Sequence, residues 1–109
     1  MTRKKYKVIL ATQADRMLLS HTEFLSRVSI PAARMLIAEF KITKKNLSFN
    51  PHNYPYADDL DVPGIPQRTY RKCVFYGRYK ALFLIDGNAM YIDAILDCRQ
   101  ENSDIFASQ

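Results

Sequence analysis

Gln67–Gln100, QRTYRKCVFYGRYKALFLIDGNAMYIDAILDCRQ, decides the fold. It holds three runs rich in β-branched and aromatic residues, Tyr70–Tyr76, Tyr79–Ile85 and Met90–Leu96. Gly77-Arg78 separates the first two, and Asp86-Gly87-Asn88-Ala89 the last two. Short glycine-containing links between such runs predict successive β-hairpins, hence a three-stranded meander. Alternation places Arg71, Cys73 and Phe75 on one face and Tyr70, Lys72, Val74 and Tyr76 on the other. In the next strand Lys80, Leu82 and Leu84 oppose Tyr79, Ala81, Phe83 and Ile85. Both faces therefore carry large apolar groups, and the face not covered by the chain's own helices is expected to meet a protein partner. Cations punctuate the meander at Arg68, Arg71, Lys72, Arg78, Lys80 and Arg99.

Upstream, Tyr6–Ala11 is a compact apolar run and predicts a further strand. Thr12 with Asp15 three residues on looks like a capping-box helix start. Ala14, Met17, Leu18, His21, Phe24, Leu25 and Val28 then recur at helical spacing, with His21 expected to pack at the edge of the helix contact. Ser29-Ile30-Pro31 ends that helix and opens a second, since proline is tolerated in a first turn but not in the interior. Ala33, Leu36, Ile37, Phe40, Lys44 and Leu47 form its stripe, and Asn50-Pro51 ends it. So short a connection predicts an antiparallel helical hairpin. Lys41, Lys44 and Lys45 lie in its last turns. There they either complement the helix dipole or form a nucleic-acid patch, and the sequence leaves both open. Residues 50–67, with four of the five prolines, form the one long irregular segment. Its Asp58, Asp59 and Asp61 lack Ca²⁺-loop spacing and read as a solvated acidic loop, with the option of lying near the basic strand and moderating its field. The predicted order is β-α-α-β-β-β, an α+β fold with the helical hairpin on one face of a small, mainly antiparallel sheet.

Size and composition fit one domain spanning 1–109, large enough to fold on its apolar core without disulfides. A net charge of +5 favours phosphate-bearing or acidic partners. Cys73, Cys98, His21 and His52 are scattered and offer no zinc spacing, so metal and cofactor are expected to be none. Reduced thiols, and no apolar run long enough for a signal peptide or a membrane span, predict a cytoplasmic protein.

Several short motifs occur together in order: Tyr6-x-Val8, Ala14, Ala32-Ala33, Asn50-Pro-x-x-Tyr-Pro55, Tyr70-Arg71-Lys72, Gly77-Arg78-Tyr79, Ile85-Asp86-Gly87 and Ile95–Arg99. Their co-occurrence resembles the RelE/ParE superfamily of toxins, the toxic halves of type II toxin–antitoxin (plasmid stabilisation) modules. The resemblance covers the chain from about Tyr6 to about Ile105 and implies a helical hairpin against a small sheet. It also implies growth inhibition by the free protein, neutralised by a cognate antitoxin whose C-terminal segment wraps the toxin. The target implied is DNA gyrase or the ribosome with mRNA, and a homodimer stays open.

Mechanism divides that superfamily. RelE-like members cleave mRNA in the ribosomal A site without a metal, using the RNA 2′-OH as nucleophile. On that pattern Arg71 and Lys80 are the catalytic cations, with Arg68, Lys72, Arg78 and Arg99 contacting nucleic acid or target. Cys73 and Gln100 stand where the pattern has further basic residues, with Arg99 beside Gln100, and Phe106 stands where it has a tyrosine. Tyr76, Tyr79, Tyr91 or Glu101 are the remaining candidates for proton transfer. With these groups missing, the resemblance leans to the ParE-like class, which blocks gyrase without catalysis. The alternatives are the metal-independent endoribonuclease and a degenerate, non-toxic binding module.

Overall fold

The computed structural model describes residues 5–99. The chain runs β1 (Lys7–Leu10), α1 (Thr12–Ser26), α2 (Ile30–Leu47), a 3-10 turn (Pro51–Asn53), β2 (Arg71–Phe75), β3 (Tyr79–Asp86) and β4 (Ala89–Asp97). The sheet order is β1-β4-β3-β2, antiparallel except where β1 runs parallel to β4. The helical hairpin lies on one face, so the predicted α+β architecture and element order are the observed ones.

Local chemistry explains the hairpins. Tyr76 and Gly77 both take left-handed φ, 53° and 61°, and the Arg78 N–H closes the turn on the Phe75 carbonyl. This is the type I′ geometry whose twist matches that of the flanking strands. Gly77 adopts it freely, whereas Tyr76 does so against its own preference. Ser29 accepts a hydrogen bond from the Ala32 N–H and caps α2. Thr12, by contrast, does not cap α1. Ala11 holds that position without a side-chain bond, because its N–H extends the β1 ladder onto the Ile92 carbonyl and strand passes straight into helix.

The helix-side core contains Leu18, Leu25, Leu36, Phe40 and Leu47 against Phe75, Tyr79, Phe83, Met90, Ile92 and Ile95. Phe24 and Val28, expected in this stripe, are exposed instead. His21 behaves as expected, its ring tilted against Tyr79 with centroids 5.2 Å apart and its Nε2–H donated to the Ile95 carbonyl, beyond the stretch of β4 that β1 pairs with.

The larger departure is on the opposite face. The sequence leaves that face bare and makes residues 50–67 a solvated loop, but Ala57, Val62 and Ile65 fold over Leu82, Ala94 and Leu96 as a second core. Val62 is fully buried and Ile65 nearly so, each contributing about 1.5–3 kcal/mol by leaving water. The expected partner surface on the sheet is thus filled by the chain itself. A slip in register at Leu82/Phe83 leaves Asp93 without an opposite residue on β3. The slip sends Ile92 and Ile95 to the helix side while Ala94 and Leu96 turn to the loop side. Tyr70 donates its hydroxyl to the bulged Asp93 at 2.8 Å. Burial, then the bond to Asp93, pushes the Tyr70 phenol up to about 12.

Candidate functional site

Each cation of the meander has an assigned place. Residues directly opposite on paired strands share a face, so Lys72, opposite Leu82, and Lys80, opposite Val74, lie on the loop side. Arg71, opposite Phe83, lies on the helix side. The two cations proposed for catalysis, Arg71 and Lys80, therefore stand on opposite faces, and the structure does not bring them together.

What meets Lys80 is Asp61. Lys72 Nζ and Lys80 Nζ both donate to this carboxylate, at 2.8 and 2.7 Å, and the Asp58 N–H adds a third bond at 2.9 Å. The Asp61 side chain is 7% exposed. Burial alone would raise its pKa, yet the two ammonium groups and the backbone N–H hold it down to about 2. The expectation of a solvated acidic loop fails here, because Asp61 neutralises two strand cations; only its variant, a loop moderating the basic strand, agrees. Asp58 and Asp59 bond the Leu60 and Gly64 N–H groups and so shape the same loop.

Asp97 does for Arg78 what Asp61 does for the lysines. It is buried, accepts both Nε–H and Nη2–H of Arg78 at 3.1 and 2.9 Å, and takes the Arg99 N–H at 2.9 Å. Burial pushes its carboxyl up, but the Arg78 bonds and the Arg99 N–H outweigh this and hold it below the usual carboxylate range. The Arg99 side chain, 66% exposed, reaches Asp97 only at 4.0 Å.

Arg71 is engaged differently. Its guanidinium donates to the Tyr54 and His52 carbonyls at 2.7 and 3.2 Å and to the Tyr56 hydroxyl at 3.1 Å, tying the segment after α2 to β2. Arg68 stands 5.0 Å from the Tyr56 ring, in a left-handed backbone conformation with φ 51°. His52, Tyr56, Arg68 and Arg71 line a small polar pocket of about 210 Å³. Cys73, two residues on from Arg71 along β2, is buried, and burial raises its thiol pKa.

A different cluster carries open charge. The Tyr6 N–H bonds the Ser48 carbonyl at 2.7 Å and brings the start of β1 against the end of α2. The cleft between them holds about 360 Å³ and is lined by Lys5, Lys7, Lys41, Lys44 and Lys45. Among the described residues no carboxylate makes an ion pair with any of the five. Sequence reading marked the α2 lysines but missed Lys7. The available signal was the alternation that puts Lys5 and Lys7 on one side of the first strand. That Lys5 and Lys7 line one cleft with the end of α2 follows from the Tyr6–Ser48 bond, a contact that closes over 42 residues.

A helical hairpin on this sheet order defines a RelE-like fold. Among solved structures, the chain is similar to a chain of the toxin–antitoxin complex RelBE2 from Mycobacterium tuberculosis, with a TM-score of 0.56 and 20% sequence identity. The match covers 85% of this chain and 91% of that one. The resemblance read from the sequence is thus matched by the fold. No family model and no curated protein matches the sequence. Among the described residues no helix is long and apolar enough to cross a membrane.

Proposed function

We propose that the chain is the toxin of a type II toxin–antitoxin module, arresting growth when free and neutralised by a cognate antitoxin protein. The observation that carries this reading is the shared fold with a component of a toxin–antitoxin complex over most of both chains. The antitoxin surface moves from the sheet, which the loop covers, to the outside of the helical hairpin. Leu19, Val28, Ile30, Met35 and Ile42 are each about half exposed or more there, an apolar set suited to an amphipathic partner segment.

The favoured mechanism is the ParE-like one, a non-enzymatic block of DNA gyrase. Its support is that the sheet cations are already committed: Lys72 and Lys80 are bound to Asp61, Arg78 to Asp97, and Arg71 faces away from Lys80. One observation favours a ribosome-dependent endoribonuclease instead. The pocket of His52, Tyr56, Arg68 and Arg71 gathers an imidazole, a phenol and two guanidiniums, the groups that metal-free RNA cleavage needs for proton transfer and phosphorane charge.

Induction of the protein alone, with and without a candidate antitoxin from a neighbouring short reading frame, tests the toxin reading. Growth arrest relieved by co-expression is expected; unimpaired growth with folded protein refutes it. In purified assays the favoured mechanism predicts lost gyrase supercoiling with a translated reporter mRNA intact. Codon-phased cleavage of that mRNA, abolished by His52→Ala, would establish the nuclease in its place.

A further inference from the structure

The lysine cleft between β1 and the end of α2 asks for an explanation that the fold alone does not supply. Lys44 and Lys45 lie in the last turn of α2, where cations complement the helix dipole. That accounts for two of the five. Lys5 and Lys7 come from the other wall, and Lys41 sits a turn further back, beyond the reach of the dipole effect. Five like charges round one cleft repel each other and concentrate a positive potential of several kT. On the sheet, Asp61 and Asp97 meet Lys72, Lys80 and Arg78; here, among the described residues, no carboxylate is paired with any of the five lysines.

We infer that this cleft docks the phosphodiester backbone of a nucleic acid. The residue type decides between anionic partners. Protein interfaces are depleted of lysine and enriched in arginine and aromatics, whereas this cleft has five lysines and no arginine. Lysine is a mobile point charge, suited to tracking phosphates without reading bases. Tyr6 and Val8 form the floor of the cleft, packed against the core, with the Tyr6 ring edge-on to His52 at 5.7 Å. The apolar outside of the helical hairpin is a separate surface, so a protein and a nucleic acid have room to bind together. The inference stands on this charge arrangement and does not depend on the toxin reading.

Fluorescence anisotropy with labelled oligouridylate and oligothymidylate of roughly 12 nucleotides tests it, across a salt series. Both strands are expected to bind, with log affinity falling linearly against log salt. Lys41→Gln combined with Lys45→Gln should weaken binding about tenfold and reduce the slope by about 0.7 for each phosphate no longer neutralised. Arg16→Gln with Arg27→Gln, an equal charge change on α1 and its C-cap, should leave the slope near the parent value. Thermal melting confirms that each variant is folded. Equal loss from both pairs would refute a local site and leave net charge as the cause. Polyglutamate competing as well per charge as the oligonucleotide would refute the nucleic-acid assignment in favour of an acidic peptide.

Discussion

Two basic regions have been treated oppositely by this fold. On the sheet, Lys72, Lys80 and Arg78 are held within 3 Å of buried carboxylates. In the cleft, Lys5, Lys7, Lys41, Lys44 and Lys45 line open space with no described carboxylate paired to them. The first set holds the chain's own segments together, Asp61 pinning the loop and Asp97 the β3–β4 end. The second adds little to stability and remains available to a partner. Charge density in a sequence therefore marks cations, but function follows from which of them find an internal counterion.

The largest effect expected from this contrast is at Asp97. Asp97→Ala removes the buried carboxylate that holds the partly exposed Arg78 guanidinium and the Arg99 N–H, and should cost about 2–3 kcal/mol. In thermal denaturation this reads as a fall of about 8 °C or more. A fall of only a degree or two would show the pair to be incidental.

Asp61→Asn comes next, at about 2 kcal/mol, since a shift from 3.8 to about 2 corresponds to that order of stabilisation. The pH dependence has a definite sign. The unfolded carboxyl takes up its proton near pH 3.8 and the folded one only near 2. The contribution is fully present above pH 4 and is lost as pH falls toward 2. Urea denaturation between pH 5 and 2 should show a flatter acid limb for Asp61→Asn than for the parent; parallel limbs would contradict the assignment.

The smallest effect belongs to the cleft. Lys41→Gln and Lys45→Gln should each alter stability by no more than about 0.5 kcal/mol in the same denaturation experiment, because neither holds an ion pair. A loss of 2 kcal/mol from either would erase the distinction between the two regions.

Much of the fold was legible because its signals are local. Gly77-Arg78 and Asp86-Gly87-Asn88-Ala89 announce the two hairpins, Ser29-Ile30-Pro31 breaks one helix and opens the next, and both helical stripes carry their spacing in the chain. What failed depends on distant partners. The slip that frees Asp93 is set by two cores pressing on β4 from opposite sides, and no short-range pattern encodes it. The loop carrying Val62 and Ile65 lacks strand or helix periodicity, so its burial was invisible until Leu82, Ala94 and Leu96 were placed beneath it.

The candidate site divides the same way. Arg71 and Lys80 look adjacent in a hairpin, but their faces follow from the register, and the Asp61–Lys80 bond closes over 19 residues. Phe24 and Val28 fit a helical stripe yet are exposed to solvent. Gln100, Glu101 and Phe106, named on the nuclease pattern, lie outside the described residues.

Lysine footprinting by a small acylating reagent, read by mass spectrometry with and without oligouridylate, compares the two regions in one sample. The division between them predicts fast modification of Lys5, Lys7, Lys41 and Lys45, slowed by the oligonucleotide. It predicts slow modification of Lys72 and Lys80 in both conditions, since their ammonium groups are bound to Asp61. Lys72 and Lys80 reacting as fast as the cleft lysines, and alone gaining protection from the RNA, would contradict it and return the nucleic-acid surface to the sheet.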